Sequence, residues 1–328
     1  MAAQVTVEDI DAAASRIAPW IRRTPVLSCS HLDHIAGKGR SLAFKCENFQ
    51  RTGSFKFRGA SNAVLLLDEE AARRGVVTHS SGNHAQALAK AAALRGIAAH
   101  VVMPRDSAAS KVAAVRAFGG NIIWCEPTLA ARTATAAEVL NRTGGTLIPP
   151  YDHPAVIAGQ GTIALELIEQ AADLDALVVP VGGGGLMSGI ATAMKARTPR
   201  IRIIGAEPAA AADAAASKRA NARQPAFEQP TIADGLRTAL GDLTWPIIQQ
   251  CVDEIVTVTE DEIRRALHLV LERMKVVIEP SSAVGVAAVL GALRERSELR
   301  RIGIILCGGN IDLARLPELI RGAGDAAP

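Results

Sequence analysis

Apolar positions recur along this chain in two rhythms. Near the start, Ile10, Ala13, Ala14 and Ile17 fall three and four residues apart, behind Thr6 with Asp9 three residues on. That spacing, with that start signal, predicts an amphipathic helix. Leu42, Phe44 and Cys46 instead alternate with polar partners, the period of a half-buried strand. A helical stretch is expected over 54–67. Then come G-V-V-T-H, a polar S-S-G-N-H turn and an Ala-rich run, read as strand, turn and helix. A-A-H-V-V-M-P and N-I-I-W-C are further strands, with a helix around 110–117 between them. The apolar runs 177–181, 201–205, 255–258 and 302–307 are later strands with helical patterns between them. Strands alternating with helices predict parallel sheets and the α/β class. The units in 74–148 are expected to form a small α/β domain inserted into a larger one made of 1–73 and 149–328.

Composition narrows the function classes. The 328 residues are 49% hydrophobic and 21% charged, a globular balance rather than a disordered one. The net charge of +3 is spread without a dense basic tract, and one Tyr with six Phe leaves few stacking platforms. Nucleic acid is therefore not an expected partner. The longest uncharged apolar stretch, about 283–293, is too short to span a bilayer, so no membrane partner is expected. The N-terminus carries acids where a secretory signal has bases. Five scattered cysteines without a C-x-x-C predict reduced thiols in a cytoplasmic protein and no structural zinc.

Ligands of open parallel sheets bind where loops gather at the carboxyl ends of the strands. Three such loops are polar or glycine-rich: 80–84, 182–185 and 307–310. Gly182 to Gly185 follow the run L-V-V-P-V and precede a helical pattern. Backbone N–H groups and the positive end of a helix then point at one place, which suits a phosphate. A dinucleotide site is the rival, with Glu207 at about the right distance after the next strand, but the third glycine of G-x-G-x-x-G is missing: Met187 or Ser188 stands there. A triphosphate loop would need Gly-Lys-Ser/Thr, which is absent. A ligand-free turn needs fewer glycines. Elsewhere, Lys56 stands between Phe55 and Phe57 in the first turn of a predicted helix. A helix N-terminus and apolar neighbours both disfavour the ammonium form, and only a neutral amine attacks an aldehyde.

These segments together resemble one family. T-G-S-F-K-F-R-G-A (52–60), S-S-G-N-H-A-Q-A (80–87), P-A-V-I-A-G-Q-G-T (154–162), G-G-G-G-L (182–186), G-A-E-P (205–208), T-I-A-D-G (231–235), E-P-S-S-A-V-G (279–285) and C-G-G-N-I-D (307–312) lie in the order found in the threonine/serine dehydratase and serine racemase family of pyridoxal-phosphate (PLP) enzymes. The resemblance covers nearly the whole chain. It implies the tryptophan-synthase-β-like fold, fold type II, with two α/β domains and PLP between them. It also implies a short form without a C-terminal regulatory domain, and a homodimer.

The resemblance further implies roles. Lys56 matches the lysine that bonds covalently to PLP, and Phe55 the aromatic packed on its ring. Gly182, Gly183, Gly184, Gly185 and Leu186 match the phosphate loop, and Asn83 the partner of the ring hydroxyl oxygen. Ser80, Asn83 and His84 match the loop that receives the substrate carboxylate. Cys307 matches the residue facing the ring nitrogen; read alone it is a buried small hydrophobe. Ser81 matches a residue on the face opposite the lysine in racemases and hydroxyaspartate dehydratases, where simple dehydratases often carry Ala. Arg132 matches an arginine placed to meet a second substrate carboxylate. Glu207, Ala211 and Asp213 match, at the same spacing, the ligands of a structural divalent cation. Two carboxylates and a carbonyl suit Mg²⁺ or Ca²⁺ with several waters; read alone, the segment is an exposed acidic loop. The expected activity is a PLP-dependent ammonia-lyase that converts L-threonine or L-serine to 2-oxobutanoate or pyruvate and ammonia. The alternatives are a serine racemase or a threo-3-hydroxyaspartate ammonia-lyase, and more distantly a NAD-dependent oxidoreductase.

Overall fold

The structure, a computed structural model, describes residues 5–227 and 230–321. Among the described residues, ten strands form two sheets. They are β1 (Val26–Leu27), β2 (Ser41–Cys46), β3 (Val76–His79), β4 (Ala99–Pro104), β5 (Asn121–Cys125), β6 (Thr146–Leu147), β7 (Ala176–Pro180), β8 (Arg202–Pro208), β9 (Glu254–Val258) and β10 (Arg301–Leu306). The larger sheet has the order β1-β2-β10-β7-β8-β9 and the smaller β5-β4-β3-β6. All pairings are parallel except β1 with β2. The alternation of strand and helix in the sequence thus yields the α/β class it implies. Two strands escape sequence reading, β1 and β6, because two residues are too few to show a period.

The larger sheet is covered on both faces, which is why its central strands read as unbroken apolar runs. Ala176 and Val178 of β7 join one core with Ile302, Ile304 and Leu306 of β10 and the helix Pro280–Leu290. Their neighbours Leu177, Val179 and Ile305 point the other way, into a core with the helices Pro154–Gln170 and Gly185–Arg197. The N-terminal helix Val7–Ile17 starts on the capping box read from Thr6 and Asp9, and its Ile10 and Ala13 join that second core. In the smaller sheet, Val76, Val101 and Met103 pack on the Ala-rich helix Asn83–Arg95 and on Phe57, Ala60 and Val64 of the helix Lys56–Leu65.

The Lys56–Leu65 helix therefore lies between the two sheets. It meets the helix Pro154–Gln170 closely: a Cβ on Gly159 would sit 2.6 Å from Gly59 Cα, and one on Gly59 would sit 2.7 Å from Val156 O. Behind Lys56, Arg58 is wholly buried and ion-paired with Glu47 (2.8 Å) and Glu166 (2.7 Å). Lys45, also buried, pairs with Glu166 at 2.6 Å. Two cations and two carboxylates so fix the helix carrying Lys56 to β2 and to the Pro154–Gln170 helix. Among the described residues, no helix is long and apolar enough to cross a membrane.

Candidate functional site

Lys56 is the first residue of its helix, with Phe55 at the cap position. Its Nζ donates to Pro150 O at 2.7 Å and lies 4.9 Å from the Phe55 ring centroid. Burial pulls the amine down to about 8, against the raising influence of Cys307 and Glu279. About a tenth of the amine is then neutral at pH 7, far more than for an ordinary lysine, and the neutral amine is the nucleophile.

The three loops singled out by their composition converge here. Phe55 N donates to Cys307 O at 3.0 Å, bringing the end of β10 to the lysine. Asn83 opens the helix after β3, and its Oδ1 accepts from Asn310 Nδ2 at 2.8 Å. Its Nδ2 donates to both oxygens of Glu279, at 2.9 and 3.0 Å. Glu279 is buried and also accepts from Asn310 N at 3.2 Å. Burial pushes its carboxyl up to about 7, in spite of the Asn83 bond. Gly182 to Gly185 join the end of β7 to the helix Gly185–Arg197, capped by Gly184 in the left-handed region at φ 87°. The loop rests on Tyr151, one residue beyond the carbonyl that holds Lys56. Leu186, in the first turn, is buried.

The remaining residues named from the sequence fall around this centre. His84 is buried, and its Nε2 lies 2.8 Å from Ile148 O. A carbonyl only accepts, so the proton sits on Nε2, and Nδ1 is a buried lone pair without a partner. Burial, then the charge of Lys56, lowers its pKa to about 3, so the ring is neutral at working pH. Cys307 is a buried neutral thiol, its pKa driven up by burial, with Sγ 3.4 Å from Ser282 Oγ. Ser80 and Ser81 lie in the turn after β3, where Ser80 Oγ accepts from Gly82 N at 3.4 Å. Arg132 sits in the first turn of the helix Leu129–Thr143. It is near enough to His79, the last residue of β3, to help depress that imidazole after burial has done so. Its Nε is buried without a partner. A cavity of about 580 Å³ adjoins the Asn83 cluster and is lined by Gln86, Lys111, Asp234 and Asn310.

Glu207 and Asp213 are not on an exposed loop, which corrects that alternative reading. β8 extends to Pro208, and both carboxylates are buried. Glu207 accepts from the N–H groups of Ala214 (3.0 Å) and Ala215 (2.9 Å). Both carboxylate oxygens of Asp213 are buried without a hydrogen bond of good geometry, though the Asp213 and Leu240 backbone N–H groups lie near enough to offset part of the burial. Burial raises Glu207 to about 8 and Asp213 to about 6. Ala211 is buried in the short turn between them. No group of three or more His, Cys, Asp and Glu side chains suited to a metal occurs among the described residues.

Four features near this centre were not assigned roles from sequence. Glu279 was visible only as part of E-P-S-S. Asn310 and Tyr151 carry no spacing signal of their own, and Pro150 acts through a backbone carbonyl that side-chain identity never reveals.

An α/β scaffold that buries one amine beside a glycine loop at a helix N-terminus defines an enzyme for a phosphorylated carbonyl cofactor. The family profile described as pyridoxal-phosphate dependent enzyme matches residues 17–308. The serine racemase of Arabidopsis thaliana is 52% identical, over 94% of this chain and 93% of that protein. The beta-hydroxyaspartate dehydratase of Paracoccus denitrificans (strain Pd 1222) is 47% identical, over 95% and 98%. The crystal structure of a T.th. threonine deaminase superposes with a TM-score of 0.87 at 42% identity, over 94% of this chain and 99% of that one. The chain belongs to the pyridoxal-phosphate dependent enzymes and has their fold type II architecture. The family's cofactor is a pyridoxal ester and not a dinucleotide.

Proposed function

We propose that the protein is an ammonia-lyase of small β-hydroxy amino acids, acting on L-serine or L-threonine to give pyruvate or 2-oxobutanoate and ammonia. The observation that carries this reading is the buried Lys56 amine, held by Pro150 O beside the Phe55 ring with a pKa of about 8. PLP, when bound, supplies an electron sink for bond breaking at the substrate α-carbon. Lys56 would hold it covalently, Gly182 to Gly185 with Leu186 would hold its phosphate, and Asn83 its ring oxygen. The fit rests on this chain's own atoms: a poised amine, backbone N–H groups at a helix start, and the Asn83 amide, which would turn one N–H from Glu279 to the ring oxygen. Cys307, a neutral thiol, offers no charge to the ring nitrogen, which favours prompt loss of a β-substituent over transamination. The loop that carries Ser80, Asn83 and His84 would receive the substrate carboxylate on its backbone N–H groups, since the His84 ring offers only a lone pair beyond its Ile148 bond. The neutral Lys56 amine would take the substrate α-proton. A proton passed back from it would let the β-hydroxyl leave as water, and addition of water to the unsaturated amine left behind would release the 2-oxo acid and ammonia.

A second reading, racemisation or a hydroxyaspartate substrate, has its own support. Ser81 is a hydroxyl in the turn after β3, where it would return a proton from the face opposite Lys56. Arg132 carries a buried Nε without a partner near the end of β3, in place for a second carboxylate. We also propose a hard divalent cation, Mg²⁺ or Ca²⁺, on Glu207, Asp213 and the Ala211 carbonyl. The under-bonded buried oxygens of Asp213 support it.

The test is a panel of L-threonine, L-serine, D-serine and threo-3-hydroxyaspartate, read as 2-oxo acid and by chiral analysis of residual amino acid. Turnover of the panel by Lys56→Ala at the wild-type rate would remove the lyase reading. For racemisation, Ser81→Ala is expected to abolish D-serine formation from L-serine while 2-oxo acid still forms. Absence of D-serine from the unmodified enzyme removes the two-base reading.

A further inference from the structure

The segment Pro150–Asp152 joins the two halves of the candidate site, and its central residue is the only tyrosine in the chain. It runs from the end of β6 in the smaller sheet to the Pro154–Gln170 helix. Its three residues make three different contacts. Pro150 O accepts from Lys56 Nζ at 2.7 Å. Tyr151 lies against the glycine loop: a Cβ on Gly183 would be 2.4 Å from its Cδ1 and 2.5 Å from Cγ, and a Cβ on Gly185 would be 2.9 Å from its Cβ. Burial raises the pKa of its hydroxyl, against the smaller lowering effect of the nearby Thr238 side chain. Asp152 accepts from the N–H groups of Asp242 (2.9 Å), Leu243 (2.9 Å) and Thr244 (3.2 Å), at the start of the helix Thr244–Cys251.

That last contact returns to the same loop. Thr244 Oγ1 donates to Gly183 O at 2.9 Å, and Ser188 Oγ donates to Thr244 O at 3.3 Å. The glycine loop is therefore held between the Tyr151 ring and the Asp152-anchored residues 242–244. The amine of Lys56 is tied to the residue just before. Two atoms must be kept a fixed distance apart for one small rigid molecule to reach both: the amine and the focus of the loop's N–H groups. Side chains of ordinary size on the loop would push Tyr151 away and re-aim those N–H groups, since a backbone donor points where its peptide plane points.

We propose that Tyr151 is a positioning residue for the cofactor phosphate, and that Pro150–Tyr151–Asp152 is the spacer that sets the separation between the Lys56 amine and the glycine loop. The inference rests on the reading that this loop holds the phosphate of PLP. Tyr151 acts through the loop and touches no reacting atom. The ring, not the hydroxyl, supplies the face on which Gly183 rests.

The test titrates the cofactor-free protein separately with PLP and with pyridoxal, which lacks the phosphate, following visible absorbance, and records the melting temperature of each cofactor-free variant. Relative to wild type, Tyr151→Phe is expected to keep the preference for PLP over pyridoxal within about twofold, whereas Tyr151→Ala should reduce it about tenfold, the loss of roughly one charge-assisted hydrogen bond. Gly183→Ala, which drives a methyl group into the ring, should reduce the preference too. Adding Tyr151→Ala to it should cost nothing further, because the collision partner is gone. A preserved preference in Tyr151→Ala, or losses that add in the double variant, overturns the inference. Should truncation of the ring unfold the chain, Gly183→Ala alone decides: an unchanged preference there overturns it as well. No preference for PLP in the wild-type protein would instead overturn the phosphate reading itself.

Discussion

Arg58 offers the most direct test of how Lys56 is held. Its side chain is fully buried, two residues beyond Lys56 on the same helix. Nε and Nη2 donate to the two oxygens of Glu47, both at 2.8 Å, and Nη1 and Nη2 donate to the two oxygens of Glu166, at 2.7 and 3.0 Å. Lys45 supplies the second cation to Glu166. Replacement by methionine keeps much of the volume and removes the charge, leaving Glu166 on Lys45 and Glu47 without an ion-pair partner. Glu47, itself fully buried, would keep only the Thr24 hydroxyl at 2.5 Å among its side-chain partners. Breaking a buried pair by removing one partner costs about 3–5 kcal/mol, a large share of the ~5–15 kcal/mol that holds a protein folded. Urea midpoints of the cofactor-free protein, followed by two probes whose transitions must coincide, measure the loss. Glu47→Gln alone should also destabilise. The double variant should lose at least about 1 kcal/mol less than the sum of the singles, because neither partner is then stranded. A loss below about 1 kcal/mol for Arg58→Met, the scale of an exposed pair, would refute the reasoning, as would additivity in the double variant.

Other consequences follow from the site's charges. Burial holds the folded-state pKa of Lys56 at about 8, below its ordinary 10.5. Cofactor capture by the free amine should therefore accelerate with pH through about 8 and then level off, as read by stopped-flow absorbance; a rate indifferent to pH would count against the poised amine. The same group makes the charged amine a burden on the folded state below about pH 8, relieved as pH rises from there to 10.5, so Lys56→Met should remove that slope from the stability profile. Glu279 has the opposite sign: its folded pKa of about 7 stands above 4.5, so stability is lost as pH rises between these values, and Glu279→Gln should flatten that fall. At the Glu207–Asp213 pair, Mg²⁺ added after chelation should raise the melting temperature, and Asp213→Asn should abolish the rise. An unchanged melting temperature in the unmodified protein would remove the cation from this site.

The elements that sequence reading recovers are those with a period long enough to see. The unbroken apolar strand β7 and the capping box at Thr6 and Asp9 are of this kind, and both reappear in the structure. The charged cluster behind Lys56 is not, since Lys45, Glu47, Arg58 and Glu166 are spread over more than a hundred positions and each looks like a surface charge on its own. Only the fold brings them together, and only burial makes them matter. Glu279 is hidden for the same reason: an acid at the start of a helix is ordinary, and its partner Asn83 lies on the smaller sheet's side of the molecule.

The glycine run shows where legibility stops even at a conspicuous motif. Four glycines invite the explanation that the chain needs conformational freedom there. Of the four, only Gly184 has a positive φ, at 87°, so only that residue is glycine for reasons of backbone conformation. The others are glycine because of what lies beside them. A Cβ on Gly182 would be 3.0 Å from Leu236 Cα, and those on Gly183 and Gly185 would meet Tyr151. The run is therefore packed tightly on both sides, and packing, not slack, aims its N–H groups. A binding loop that is rigid before its ligand arrives loses little entropy on binding. Substitutions at 182, 183 and 185 should act by collision with the Leu236 backbone and Tyr151, and at 183 the loss should not add to that of Tyr151→Ala. A substitution at 184 should act by strain in its own backbone as well as by collision with Ile248, Thr244 and Leu240, so trimming a neighbouring side chain should repair it only in part.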